Sequence, residues 1–211
     1  MPVVEGEEPE EEGAGVLVVP GTFSVSMQQR VDGIMTDLGQ SQSFEVVSIR
    51  EPTLPGSTQG QRVVFESQVD ELNRAGDGTV NAIDRISAEL DAIKSTLSRS
   101  TADPSLYEIA DAIQESLLDQ RDRLHQNETR NIFKDWTGVS LQERLWHARF
   151  VLEMGAYGPT SAQRTSYAIG KRLYDDVVVE LTGIVDIGYA GLKDALDKAG
   201  VPWTPGRGIQ K

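Results

Sequence analysis

From Val69 to Leu97 apolar or small residues recur at spacings of three and four: Val69, Leu72, Gly76, Thr79, Ile83, Ile86, Leu90, Ile93, Leu97. Such spacing places them on one stripe of an α-helix that must pack on other helices. It predicts a long helix from about Gly60 to Ser98, with a stripe roughly 42 Å long. The weak place is Ala75-Gly76-Asp77-Gly78, where each glycine costs about 1 kcal/mol relative to alanine. A kink or a thin contact is expected there. A second helix begins near Pro104, with Asp103 as N-cap and proline at the first helical position. Its stripe is Leu106, Ala110, Ile113, Leu117, Gln120 and Leu124, and it fades in the polar run Asn127-Glu128-Thr129-Arg130. The short loop from Ser98 to Asp103 makes these two helices antiparallel neighbours.

Two capping boxes mark the remaining helices. Ser140-Leu141-Gln142-Glu143 opens a third helix that buries Leu141, Leu145, Ala148 and Leu152 and ends at Gly155. Thr160-Ser161-Ala162-Gln163 opens a fourth. Its inward positions are Leu173, Val177, Leu181, Ile184, Gly188, Leu192, Ala195 and Ala199, and Gly200 and Pro202 stop it.

The N-terminal part has period two instead. Val16 to Val19 reads as strand, Pro20-Gly21 as a turn, and Phe23, Val25 and Met27 alternate with polar neighbours. Ser43 to Ile49 is a second strand, and the link holding Asp32-Gly33 and Leu38-Gly39 forms an irregular hairpin tip. Pro52 and Pro55 end the strand region. Two or three strands are marginal alone, so they need the helices or strands from elsewhere. The fold class expected is mainly α: an antiparallel bundle of about four helices, two of them long and coiled-coil-like, with a small N-terminal β-hairpin or partial β-sandwich. The boundaries are a disordered acidic leader over 1–15, the strand region over 16–52, the helical bundle over 57–200 and an irregular tail over 201–211.

A chain of 211 residues buries a core without disulfides or metals, and this one has no cysteine. Thiol catalysis, cysteine-based zinc sites and disulfides are excluded. Net charge is −13; Glu5, Glu7, Glu8, Glu10, Glu11 and Glu12 supply six of those charges, leaving −7. An acidic chain repels phosphate backbones, so nucleic acid is not an expected partner. No stretch approaches the ~20 apolar residues of a membrane span. Met1 to Gly15 lacks the basic start and apolar run of a signal peptide, which leaves the compartment open.

Candidate chemistry is sparse. The two histidines, His125 and His147, lack the spacing of a metal pair, and no Glu-x-x-His motif of ferritin-like bundles occurs. Asp175-Asp176, Asp119 and Asp122 fall between stripe positions and point to solvent. A glycosidase needs two carboxylates facing each other across a cleft. Gly76-Asp77-Gly78 lacks the rest of a dinucleotide fingerprint, and no G-x-S-x-G elbow is present. Asn127-Glu128-Thr129 matches a glycosylation sequon by chance. Trp136, Trp146 and Trp203 read as residues that fill a core or seal a loop. No catalytic, metal or cofactor-binding residue is expected, and no cofactor.

The tail, Leu192-Lys193-Asp194-Ala195-Leu196-Asp197-Lys198-Ala199-Gly200-Val201-Pro202-Trp203-Thr204-Pro205-Gly206-Arg207, resembles the end of large bacterial sortilin-like or Asp-box (BNR) repeat β-propeller proteins, often labelled glycosyl hydrolases. Val16-Leu17-Val18-Val19-Pro20-Gly21-Thr22-Phe23-Ser24-Val25 resembles a strand pair of the small β-sandwich that follows the propeller there, and Ser43-Phe44-Glu45-Val46 its closing strand. Val80-Asn81-Ala82-Ile83-Asp84-Arg85-Ile86 is similar to the first tail helix, and Tyr157-Gly158-Pro159-Thr160 to the start of the last. The motifs are colinear from Val16 to Arg207. Ser48-Ile49-Arg50-Glu51-Pro52 departs from the proline-rich strand exit usual there, and no Asp-box occurs. The resemblance implies a C-terminal accessory segment, as a tail fragment, split product or remnant, of a family whose members are often exported. It carries no propeller residue onto this chain.

The reading that follows is a noncatalytic helical accessory module associated with a β-propeller in cis or in trans. One alternative is a self-associating coiled-coil scaffold, a homodimer paired through the long first helix. The other is part of a glycoside hydrolase-labelled protein whose active domain lies elsewhere.

Overall fold

The computed structural model describes residues 18–49, 56–133, 138–154 and 158–207, the side chains of residues 128, 131 and 151–154 aside. The leader over 1–15, Pro52, Pro55, Trp136 and Gly155 lie outside the described residues, as does the side chain of Leu152. The chain is mainly helical, with an N-terminal hairpin and four principal helices.

Strands β1 (Gly21–Val31) and β2 (Ile34–Val46) pair antiparallel. They are joined by Asp32 at φ 50° and Gly33 at φ 83°. Two successive left-handed residues make the tight hairpin turn whose twist matches its strands, and Asp-Gly is the dipeptide that adopts it. The expected irregular tip is therefore mostly strand. Its second signal, Leu38-Gly39, is a bulge: Ser26 pairs with Ser41 but Gln28 with Asp37, so β2 spends two more residues than β1 there. Gly39 takes φ 67°, and its N–H donates to Asp37 Oδ1 at 2.8 Å. The closing strand stops at Val46, short of the expected Ile49, and Val18 and Val19 are not in strand.

Helix α1 (Gln59–Leu97) is continuous through Ala75-Gly76-Asp77-Gly78. It starts at a capping box absent from the sequence expectations. Gln61 N–H donates to Thr58 Oγ1 at 3.2 Å, and Thr58 N–H to Gln61 Oε1 at 2.9 Å. Val69, Leu72, Gly76, Ile83, Leu90, Ile93 and Leu97 of its stripe are buried, with Val80 inward and Thr79 half-buried. Helix α2 (Ser105–Leu124) buries its whole expected stripe, Leu106, Ala110, Ile113, Leu117, Gln120 and Leu124. At its start Asp103 Oδ1 accepts from Ser105 N–H at 2.9 Å, a hydrogen bond that holds this carboxyl below the ordinary aspartate value. A five-residue helix α3 (Glu128–Ile132) follows, capped by Asn127 Oδ1.

Contacts between side chains give the topology. Along α1 and α2 the pairs Lys94–Asp111, Asp91–Gln114, Asp84–Arg121 and Asp77–His125 descend one helix while ascending the other. The two are antiparallel. Helix α4 (Leu141–Met154) also runs against α1, with Arg149 on Asp70 at 3.1 Å. It thus continues the line of α2, the two lying end to end along α1. Helix α5 (Ser161–Gly183) returns beside α4, with Ser166 Oγ donating to Arg144 O and Gln163 Nε2 to Ala148 O. Each cross-section of the bundle is therefore three helices thick, although four principal helices build it.

Leu141 shows how the helices close up. A Cβ built on Gly76 would stand 2.9 Å from Leu141 Cδ2, and one on Gly170 would stand 3.3 Å from Leu141 Cδ1. The expected thin contact is thus a slot that a leucine fills. Gly78, two residues on, has open space around its Cα. Gly78→Ala is expected to raise stability by about 0.5–1 kcal/mol, read by chemical denaturation, because only helix propensity changes there.

The fourth helix holds a feature its stripe did not predict. Between α5 and α6 (Ala190–Lys198) the residues Ile184–Tyr189 form a π-helical segment. A π turn takes one residue more than an α turn. Tyr189 and Leu196 are buried beside the expected Gly188 and Ala195, which are half-buried and still face the bundle, and Ala199 is exposed. Tyr189 hydroxyl donates to the Glu89 carboxylate of α1. Burial first, and then this hydrogen bond, push the Tyr189 phenol well above the ordinary tyrosine value. An unfolded tyrosine ionises near pH 10, while folded Tyr189 keeps its proton. The native state then binds more protons than the unfolded one. This contribution is complete below about pH 10 and is lost as pH rises through the folded value. Tyr189→Phe is expected to flatten the alkaline fall in stability, measured as melting temperature against pH.

Helix α6 ends in a Schellman motif: Gly200 at φ 65°, with Val201 N–H on Leu196 O and Gly200 N–H on Asp197 O, both at 3.1 Å. The tail over 201–207 then folds back. Arg207 is buried against Asp197 and the carbonyls of Val201 and Pro202.

Candidate functional site

The hairpin sorts its side chains by face. On one side stand Phe23, Val25, Met27 and Val31 of β1 with Val46, Phe44 and Ile34 of β2, interrupted by Gln29, Thr36 and Gln42. Phe23 and Phe44 are direct cross-strand partners, with ring centroids 6.0 Å apart. The opposite side carries Thr22, Ser24, Ser26, Gln28 and Arg30 against Glu45, Ser43, Ser41 and Asp37, with Met35 as its apolar exception. An antiparallel ribbon patterned this way is built to cover one face and wet the other. Yet among the described residues neither strand packs on any helix. Phe44 is 51% exposed, Val25 54% and Ile34 70%. Among the described residues both outer strand edges also lack a neighbour in the two-stranded sheet.

The residues weighed for chemistry are dispersed. His125 caps the end of α2 and holds Asp77 of α1 at 2.9 Å, while Asn73 donates to the other oxygen of that carboxylate. His147 is exposed on α4, edge-on to Trp146 with centroids 5.5 Å apart. Asp175 pairs with Lys171 one turn away at 2.7 Å. Asp122 corrects the sequence reading: it is buried, accepting from Asn127 at 3.1 Å and facing Arg130 at 3.4 Å. Asn127 of the formal sequon spends its amide nitrogen on that contact and its oxygen on capping α3. Among the described residues no three His, Asp or Glu side chains converge as a metal site.

Trp146 differs from the expectation, whereas Trp203 seals a loop as expected. Trp146 is 57% exposed and stacks on Phe150, with centroids 4.7 Å apart. Trp203 keeps its ring 58% exposed, although its Nε1–H donates to Arg207 O and so closes the tail turn. Neither fills the core.

Comparisons with protein-family models, with curated proteins and with solved structures found no match to this chain. Among the described residues no helix is long and apolar enough to cross a membrane. Among the described residues the apolar face of the hairpin has no internal cover.

Proposed function

We propose that the chain is a noncatalytic helical accessory module that attaches, through its hairpin, to a β-propeller protein of the sortilin-like, Asp-box kind, in cis or in trans. The observation that carries this reading is the unpartnered apolar face of Phe23, Val25, Met27, Phe44 and Val46. A two-stranded ribbon is marginal by itself. Each large apolar side chain that becomes buried contributes about 1.5–3 kcal/mol, so a sheet laid on this face stabilises the ribbon and the complex together. The partner's sheet supplies that cover in the proposed arrangement, and the resemblance of both chain ends supplies the partner's class.

The scaffold alternative needs the α1 stripe at a seam between chains. Ile83, Leu90 and Ile93 of that stripe are instead within the core of one chain, which favours the accessory reading. The test joins genomic context to binding. A propeller reading frame should lie upstream of or beside this one, and its product should co-purify with the wild-type chain but not with Phe23→Ser/Phe44→Ser. Unrelated neighbours, or co-purification indifferent to that double variant, would contradict the proposal.

A further inference from the structure

The two outer edges of the hairpin are not equivalent. A row of unpaired main-chain N–H and C=O groups is a template for another strand unless something blunts it. The β2 edge is blunted. Between Asp37 and Ser41 three residues stand opposite the single Met27, Gly39 turns to φ 67°, and its N–H is spent on Asp37 Oδ1. Such a bulge interrupts regular pairing. The β1 edge carries no such device. Its eleven residues, Gly21 to Val31, run as one strand with no proline and a single charge, Arg30. Every one of them except Phe23 is exposed, and among the described residues only β2 pairs with this strand.

The strand is also complementary to itself. An antiparallel copy centred on Ser26 overlaps all eleven residues. On the polar side it sets Ser26 against Ser26, Ser24 against Gln28 and Thr22 against Arg30; on the apolar side it sets Val25 against Met27 and Phe23 against Gln29. The one charge of the strand meets a threonine, so no like charges stand opposite each other, an arrangement that would destabilise the pair. Directly opposed residues of an antiparallel pair share one side of the sheet. The apolar faces of two hairpins joined this way therefore merge into a single face.

We propose that the β1 edge pairs with the same edge of a second copy of this chain, so that two two-stranded hairpins form one four-stranded sheet about a two-fold axis at Ser26. A ribbon of two strands is marginal, whereas three or more strands with an apolar face are stable; the second copy supplies the missing strands. The contact is isologous and closes on itself. The edges left outside are the two bulged β2 edges, which resist further addition. Edge pairing uses main-chain groups and leaves the merged apolar face open. It therefore neither rests on a propeller partner nor excludes one.

Sedimentation equilibrium of the full chain over a rising concentration series tests the pairing, and a monomer–dimer equilibrium is expected. Ser26→Lys sets two cations opposite each other on the solvent side and should weaken the dimer by about tenfold or more. Ser26→Glu should do the same, and mixing the two variants should restore a mixed dimer. Ser41→Lys puts its charge one strand away, on β2. The two Ser41 positions are then separated by three strand spacings, roughly 14 Å, beyond the screening length, so the dimer should keep its strength within about twofold. The chain has no cysteine, so Ser26→Cys reads the register directly: mild oxidation should cross-link two chains, and Ser41→Cys should not. Circular dichroism confirms that each variant is folded. A monomer at every concentration, a dimer indifferent to both charges at Ser26, or growth beyond two chains would overturn the proposal. So would equal cross-linking at the two positions.

Discussion

Leu141→Ala is expected to lower the unfolding free energy by about 3 kcal/mol, within the range for emptying a leucine site in a packed core. For a chain of this size that corresponds to a melting temperature lower by roughly 6–12 °C. The reason lies in where the side chain sits. Leu141 is 2% exposed, and its two methyl groups face the two glycine slots, Cδ2 toward Gly76 of α1 and Cδ1 toward Gly170 of α5. One leucine therefore ties α4 to both long helices, and little else can collapse into the space it leaves.

The reciprocal variants show whether the contact is a fork. Gly76→Ala alone gains helix propensity of about 1 kcal/mol while forcing Cδ2 away, and the leucine can lean toward Gly170. Gly170→Ala alone permits the opposite movement. Together they leave it nowhere to go, so the double variant should be destabilised by about 1–3 kcal/mol beyond the sum of the singles. Denaturant titration of the four proteins measures that coupling. Additive behaviour would show that the methyl groups do not share the two slots.

The second large effect is expected at Arg207. Its side chain is only 2% exposed, with Nη1 donating to Val201 O at 3.1 Å and Pro202 O at 2.9 Å while Nε reaches Asp197 Oδ1 at 3.0 Å. Trp203 Nε1–H donates back to the Arg207 carbonyl. The tail is wound around its own guanidinium. Arg207→Ala leaves two carbonyls without this donor and should cost about 2 kcal/mol. Arg207→Lys should recover only part of the loss, because an ammonium cannot reproduce the planar fork. Asp197→Asn should be milder, since that carboxylate is 44% exposed and solvent screens the pair. Trp203 emission, which reads the turn directly, should shift in Arg207→Ala and only slightly in Asp197→Asn.

Helical periodicity made most of the bundle legible. The α2 stripe needed no correction, and the boxes at Ser140 and Thr160 mark true helix starts, with reciprocal hydrogen bonds at both. These signals are local: a stripe or a cap is complete within a few turns. Thr58-Gln59-Gly60-Gln61 carries the same pattern in glutamine form, and it was obscured by the adjacent glycine and prolines. What sequence spacing could not supply was nonlocal. The π segment changes the phase of a helix without changing its composition, so the stripe's spacing marks the half-buried Gly188 and Ala195 and misses the fully buried Tyr189 and Leu196. The role of Gly76 depends on a leucine 65 positions away in the sequence. Asp122 looked like a surface charge because its partners, Asn127 and Arg130, lie beyond the end of its helix.

The hairpin was legible in pairing but not in extent. Asp32-Gly33 is a strong turn signal, and its strands simply run longer than their apolar residues. Its proposed docking role is argued from structure, because an apolar face becomes informative when nothing among the described residues covers it.

Hydrogen exchange across residues 21–46, for the chain alone and mixed with the product of any propeller reading frame found upstream of or beside its own, tests the proposed attachment most directly. Protection is predicted to rise on mixing at the hairpin amides and to stay unchanged in α1 and α2. Hairpin amides that exchange equally in both samples, or protection confined to the helices, would contradict attachment through this face.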